Sequence, residues 1–152
     1  MNAIELLKQD HKEARGLMDQ IETADKGDRS AKDLFMRLKH ALTLHTQIEE
    51  KIFYPALRDH DETSDMIEES FREHEEVDQL LAEMTALNPR NDDFTDKLVE
   101  LRDAVEHHVD EEESEMFPKA EKILGRERLV EMGRQMQQMK QSQSAAATTR
   151  RV

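Results

Sequence analysis

The chain has 152 residues, no cysteine, and 35 acidic against 22 basic side chains, for a formal net charge of −13. That balance speaks against nucleic acid or anionic membrane as partners, because both require clustered Lys and Arg. The absence of cysteine excludes disulfides, thiolate metal sites, iron–sulfur clusters and cysteine nucleophiles, and 38% charged against 4% aromatic residues points to a single all-α domain rather than a sheet.

From Asn2 to about Thr23, the residues Ile4, Leu7, Ala14, Met18 and Ile21 advance by three or four, as the core-facing stripe of a helix does. His11 lies inside that stripe. Asp25 to Ser30 carries the loop signals Gly27 and Asp28, and Ser30 with Asp33 resembles a weak N-cap. A second helix is predicted from Ala31 to Tyr54, with Leu34, Leu38, Ala41, Ile48 and Ile52 turned inward, His45 continuing the row and Glu49 beyond it. Pro55 ends or kinks this helix, and residues 56–65 read as a connector. A third helix begins near Ser64 and carries Ile67, Phe71, Val77, Leu81 and Met84 at helical spacing, with His74 on the same side. After the turn LNPRNDD, with Asn91 or Asp92 as cap, a fourth helix presents Leu98, Leu101 and Val105, a series that leads on to His108 and Glu112.

Beyond Pro118, Ile123, Leu129, Met132, Met136 and Met139 outline a further amphipathic helix expected to pack on the outside of the bundle. The predicted organisation is a four-helix bundle over 1–120, an accessory helix over 121–139 and a disordered tail over 140–152. No stretch approaches the roughly 20 apolar residues that span a bilayer, and MNAIELLKQD shows no basic segment followed by a long apolar run. A monomer in the cytoplasm is the expectation.

The chain repeats itself. HTQIEEKIFYP, His45 to Pro55, recurs as HVDEEESEMFP, His108 to Pro118, pairing Glu49 with Glu112, Glu50 with Glu113 and Tyr54 with Phe117 at an offset of 63 residues. The same offset takes His11 to His74 within HKEARGLMDQI and HEEVDQLLAEM. Each half is therefore a helical hairpin with one histidine on its first helix and H-x-x-x-E on its second. A spacing of four stacks imidazole and carboxylate on one helix face.

In an antiparallel bundle His11, His45, Glu49, His74, His108 and Glu112 all turn into the core. A buried carboxylate without compensation costs several kcal/mol. Ion pairing with histidinium compensates part of that cost, and metal binding compensates all of it. Four imidazoles and two carboxylates suit iron, manganese or zinc. Two ions, each with two histidines and sharing both carboxylates, keep open positions for an oxo or hydroxo bridge and a small ligand.

The pattern H…H-x-x-x-E…H…H-x-x-x-E, with E-E-x-x-[FM]-[YF]-P closing two of the helices, resembles the hemerythrin-like, or HHE cation-binding, family over about residues 1–120. The resemblance implies a non-haem di-iron centre on those six residues. It also implies chemistry with O₂, peroxide or nitric oxide: peroxide decomposition of catalase type with an NO-linked peroxidase activity, or alternatively a non-catalytic O₂-binding or oxygen- or iron-sensing module.

One position departs from the oxygen carriers of that family, which place a second histidine four residues after the third-helix one. Here it is Asp78, whose repeat mate is Arg15. An Arg15–Asp78 pair near the site is the expected arrangement, with Asp78 as a ligand the other choice. The missing histidine speaks against a carrier role. His40, His60 and His107 are read as peripheral. Glu50 and Glu113 belong to a solvated acidic face or accept hydrogen bonds from the ligand histidines. Tyr54 points away from His45 on an ideal helix, which predicts packing, unless distortion before Pro55 swings its hydroxyl towards a metal.

Overall fold

The computed structural model describes residues 1–24 and 29–150, the side chains of 144–150 excepted. Helix α1 spans Ala3–Thr23 and α2 spans Arg29–Ile48. The latter runs through a π-helical turn, Glu49–Phe53, into the short α3, Tyr54–Leu57. Helix α4 covers Ser64–Thr85, and α5, Asp92–Glu111, passes through a second π-helical turn, Glu112–Met116, into α6, Phe117–Arg150. Among the described residues there is no strand, and no helix is long and apolar enough to cross a membrane.

The helix starts follow from local chemistry. The Asn2 side chain accepts from the Glu5 amide while Glu5 accepts from the Asn2 amide, a reciprocal capping box. Asn91 caps α5 by accepting from the Asp93 amide at 2.9 Å. Helix α2 begins at Arg29, so Ser30, the expected cap, lies within its first turn. The expected loop residues Gly27 and Asp28 lie outside the described residues.

Helices α1 and α2 form one hairpin and α4 and α5 the other, and α1 also meets α5 while α2 meets α4. That sets α1 diagonally opposite α4. The bundle holds two apolar clusters. One, at the end away from the connector at 58–63, contains Ala14, Met18, Leu38, Leu42, Val77, Leu81, Leu101 and Val105. The other joins Leu7, Ile48, Phe53, Tyr54 and Ile67 to Phe117, Leu124, Leu129, Met132 and Met136. The buried histidines and glutamates lie between them.

The accessory helix packs its apolar face, Leu129, Met132 and Met136, into this second cluster. Two glycines make its path: Gly125 breaks direction at φ 77°, ψ 165°, a conformation nearly confined to glycine. At Gly133 a Cβ would stand 2.5 Å from the Met1 carbonyl oxygen, so only glycine lets this helix approach the start of α1. The helix also continues past 139, the expected onset of disorder, as far as Arg150. The reason is local: three successive alanines favour helix, and Lys140 is ion-paired to Asp10 of α1. Residues 151–152 of the expected tail lie outside the described residues.

Candidate metal centre

The two π-helical turns are where the centre is made. In each, one backbone bond spans five residues: the Tyr54 amide donates to the Glu49 carbonyl and the Phe117 amide to the Glu112 carbonyl. The extra residue lets the chain absorb Pro55 and Pro118, which lack the N–H of a regular turn, so each proline passes inside a continuing helix rather than ending it. It also rotates Tyr54 inward. On a regular helix Tyr54 would face away from His45, and that expectation is overturned by the inserted residue.

All six expected ligand residues come together, buried to 6% exposure or less. They divide into two overlapping groups, His11, His45, Glu49 and Glu112 on one side and Glu49, His74 and His108 on the other. Each histidine pair joins the two helices of one hairpin, with ring centroids 5.0 Å apart for His11–His45 and 4.8 Å for His74–His108. Glu49 Oε1 lies 3.2 Å from His45 Nε2 and 3.1 Å from His74 Nε2, and so touches both groups. Glu112 does likewise, with Oε1 3.1 Å from His11 Nε2 and Oε2 3.4 Å from His108 Nε2.

A ring of outer carboxylates sets the histidines. His11 Nδ1 donates to Glu113 and His74 Nδ1 to Glu50, each at 2.7 Å. His45 Nδ1 donates to Asp10 at 2.9 Å and His108 Nδ1 to Glu73 at 2.7 Å. With the proton held on Nδ1, each Nε2 turns its lone pair inward, the form that binds metal. The structure therefore gives Glu50 and Glu113 a role in the site and adds Asp10 and Glu73, which sequence reading missed. The signal was present: Asp10 and Glu73 are themselves 63 residues apart, each immediately before a ligand histidine.

The cluster demands positive charge. His74 Nε2 and His108 Nε2 face each other at 3.2 Å, and His45 Nε2 and Glu49 Oε2 are buried without a hydrogen-bond partner. Protons are one source of that charge. Burial pushes the His45 imidazole down, but the Glu49 charge, the Asp10 hydrogen bond and the Glu112 charge outweigh it and raise its pKa to about 10. His108 is likewise raised against its burial, chiefly by Glu112. Burial acts to raise Glu49, yet the surrounding histidines hold it well below the ordinary carboxylate range. A divalent or trivalent metal is the other source, and the N/O donor set fits one.

Tyr54 sits in the second group. Its hydroxyl donates to Glu112 Oε2 at 2.6 Å and lies 3.1 Å from Glu49 Oε1, and 3.3 Å from the Nε2 atoms of both His74 and His108. Burial first, then the Glu112 and Glu49 charges, push its pKa well above that of a free phenol. On the opposite side of the centre a cavity of about 30 Å³ is lined by the four histidines and by Ala14, Leu42, Val77, Val105 and Val109. At roughly 10–15 Å³ for one water, it has room for about two water-sized molecules or one diatomic.

The expected Arg15–Asp78 pair does not form. Arg15 on α1 binds Glu106 of the neighbouring α5, at 3.0 Å from both Nε and Nη2. Asp78 belongs to the diagonal helix α4 and is exposed. His40 and His60 are exposed and outside the centre, as expected. His107 is also exposed, but lies against Glu73 and Glu111.

Comparison with known proteins gives a consistent picture. Residues 2–120 match the family described as the hemerythrin HHE cation binding domain. The chain is 28% identical over 117 residues to a protein of Nostoc named as a DNA nickase, covering 77% of this chain and only 33% of that one. It is 29% identical over 118 residues to the Mycobacterium tuberculosis protein Rv2633c, covering 78% of this chain and 71% of the relative. A crystal structure of an HHE domain protein from Mycobacterium kansasii, a homolog of Rv2633c, superposes with a TM-score of 0.86 at 28% identity, over 100% of this chain and 93% of that one.

Proposed function

From the premise that the chain belongs to the hemerythrin HHE cation-binding family, we propose that its buried cluster holds two iron ions and that the loaded protein decomposes hydrogen peroxide. The observation that carries this reading is the pair of histidine groups that share Glu49, with Glu112 also reaching both, the Tyr54 hydroxyl at one side and a small cavity at the other. His11 and His45 would hold one ion, His74 and His108 the other, and the two carboxylates both. Bound iron supplies the redox chemistry that converts two molecules of peroxide to two of water and one of O₂.

The protein's own groups do the rest. The cavity's aliphatic walls admit a molecule of peroxide's size and keep bulk solvent from the histidines. The outer carboxylates fix all four imidazoles against rotation. Tyr54 keeps a proton at Oη beside Glu112, within the ligand shell. Nitric oxide is small enough for the same cavity, so an NO-linked peroxidase activity belongs to this reading. The protein acts on these small molecules as a monomer.

The apolar cavity also suits O₂, which favours reversible O₂ binding or sensing as the second reading. Nicking of DNA, the activity in the name of the Nostoc relative, finds no support in a chain of net charge −13. Peroxide added to the purified protein in an oxygen-electrode cell separates the first two. Decomposition releases oxygen and stops after chelation of the metal. A persistent, reversible O₂ complex with peroxide left intact would establish the binding reading instead, and well-folded protein with no bound metal would remove both.

A further inference from the structure

The two halves of the centre match closely in their outer carboxylates and differ in what lies behind them. Asp10 and Glu73 stand at equivalent positions and each accepts from the Nδ1 of a ligand histidine. Asp10 uses its other oxygen, Oδ1, to bind the Lys140 ammonium delivered by α6. A fixed cation thus completes that side. Among the described residues no lysine pairs with Glu73: its other oxygen, Oε2, lies 3.3 Å from Nε2 of His107, which is itself 3.0 Å from Glu111 Oε1. Glu73 is 7% exposed, and its second oxygen meets this rim pair.

The geometry points to a third metal site, formed by Glu73, His107 and Glu111 at the surface of the bundle, that binds a hydrated first-row divalent cation. One ligand atom from each of the three residues lies within 4.8 Å of the others. The donors are one imidazole nitrogen and two carboxylate oxygens on two helices, a mixed set suited to Fe²⁺, Mn²⁺ or Zn²⁺. His107 and Glu111 repeat the i, i+4 arrangement of the buried ligands one residue earlier, so this pair faces outward where His108 and Glu112 face inward. Side-chain exposures of 65% for His107 and 41% for Glu111 leave the remaining coordination positions to water. The site is exchangeable where the buried centre is enclosed. The cation takes the place on this half that Lys140 takes on the other. Through Glu73 it sits one carboxylate away from His108, on the outer side of the buried centre.

Titration with Mn²⁺, followed by the loss of the free-ion electron paramagnetic resonance signal, tests the site in protein retaining its tightly bound metal. About one additional Mn²⁺ per chain is expected. Removing a ligand in His107→Ala or Glu111→Gln should weaken that uptake by at least about tenfold. The tightly bound metal, measured before and after, should stay unchanged. Glu68→Gln removes an exposed charge elsewhere on α4 and should bind as the unaltered protein does. Equal uptake by His107→Ala and the unaltered protein would overturn the proposal and reduce His107 to a hydrogen-bond partner. An equal loss in Glu68→Gln would also overturn it, since it would mark diffuse attraction to an acidic surface. None of these readings depends on peroxide turnover or on which metal the buried centre retains.

Discussion

Tyr54 and Phe117 occupy the same place in the two halves of the chain, and only Tyr54 brings an oxygen into the centre. Tyr54 packs its ring on His74, with centroids 5.4 Å apart and planes at 28°, and Phe117 stacks on His11 at 6.0 Å and 3°. Each ring therefore packs on the first-helix histidine of the opposite half. The phenol hydroxyl makes the two histidine groups chemically unequal: one has the Phe117 ring beside it, the other a hydroxyl within reach of Glu49, Glu112, His74 and His108.

Phe117 shows that the bare ring fits, so Tyr54→Phe should fold. Loss of the hydrogen bond to buried Glu112 should cost about 1–3 kcal/mol in denaturant unfolding of the metal-free protein. If the hydroxyl joins the metal's ligands, the visible absorption of the iron-loaded protein should lose a phenolate-to-iron band. An unchanged spectrum with unchanged peroxide turnover would leave Tyr54 a packing residue.

Because Glu49 Oε1 approaches both histidine pairs, Glu49→Gln should disturb both ions and not one. Metal analysis should show fewer than two irons per chain, with loss of magnetic coupling between those that remain. A variant with one site emptied and the other spectroscopically untouched would show Glu49 to be a terminal ligand.

Lys140 acts on the centre through Asp10 and His45. Lys140→Met leaves one Asp10 oxygen uncompensated at a position 8% exposed, while the methylene stem retains most of the packing. Release of metal to a competing chelator should become easier by about tenfold, with the helix content by circular dichroism unchanged. Chelation at the unaltered rate would make Lys140 a purely structural strut.

The pH dependence of the metal-free protein follows from His45 and Glu49. Burial disfavours charged His45, but Glu49 and Asp10 raise its pKa from 6.5 to about 10. Its stabilising contribution is fully present below pH 6.5 and is lost as pH rises through about 10. Glu49, held well below 4.5 despite its burial, contributes above pH 4.5 and loses that contribution as pH falls through its lowered value. Thermal melts of chelated protein should show the melting temperature falling from near pH 7 to pH 10, and the metal-loaded protein should be less sensitive. Equal profiles would mean that these charges are balanced by other groups.

Gly133→Ala places a methyl against the Met1 carbonyl at 2.5 Å. Overpacking of this kind should cost about 1–3 kcal/mol, read as a shift in the urea midpoint. An unchanged midpoint would mean that the N-terminus yields without cost.

The amino-acid sequence by itself determined the helices, the internal repeat and the six inward-facing histidines and glutamates of the candidate centre. Each of these depends on spacing along one chain: a stripe at three and four, a histidine and glutamate four apart, a repeat at 63. Even the unread pair Asp10 and Glu73 was marked by that offset. What depended on contacts between helices stayed hidden. The pairing of Arg15 with Glu106 rather than Asp78 follows from α1 lying beside α5 and diagonal to α4. The inward turn of Tyr54 required the extra residue of a π-helical turn, a backbone shift that Pro55 signals without fixing where the hydroxyl comes to rest. The reach of Lys140 to Asp10 required the break at Gly125 and the close approach at Gly133. Periodicity gives the face on which a side chain lies, and only packing decides what stands opposite.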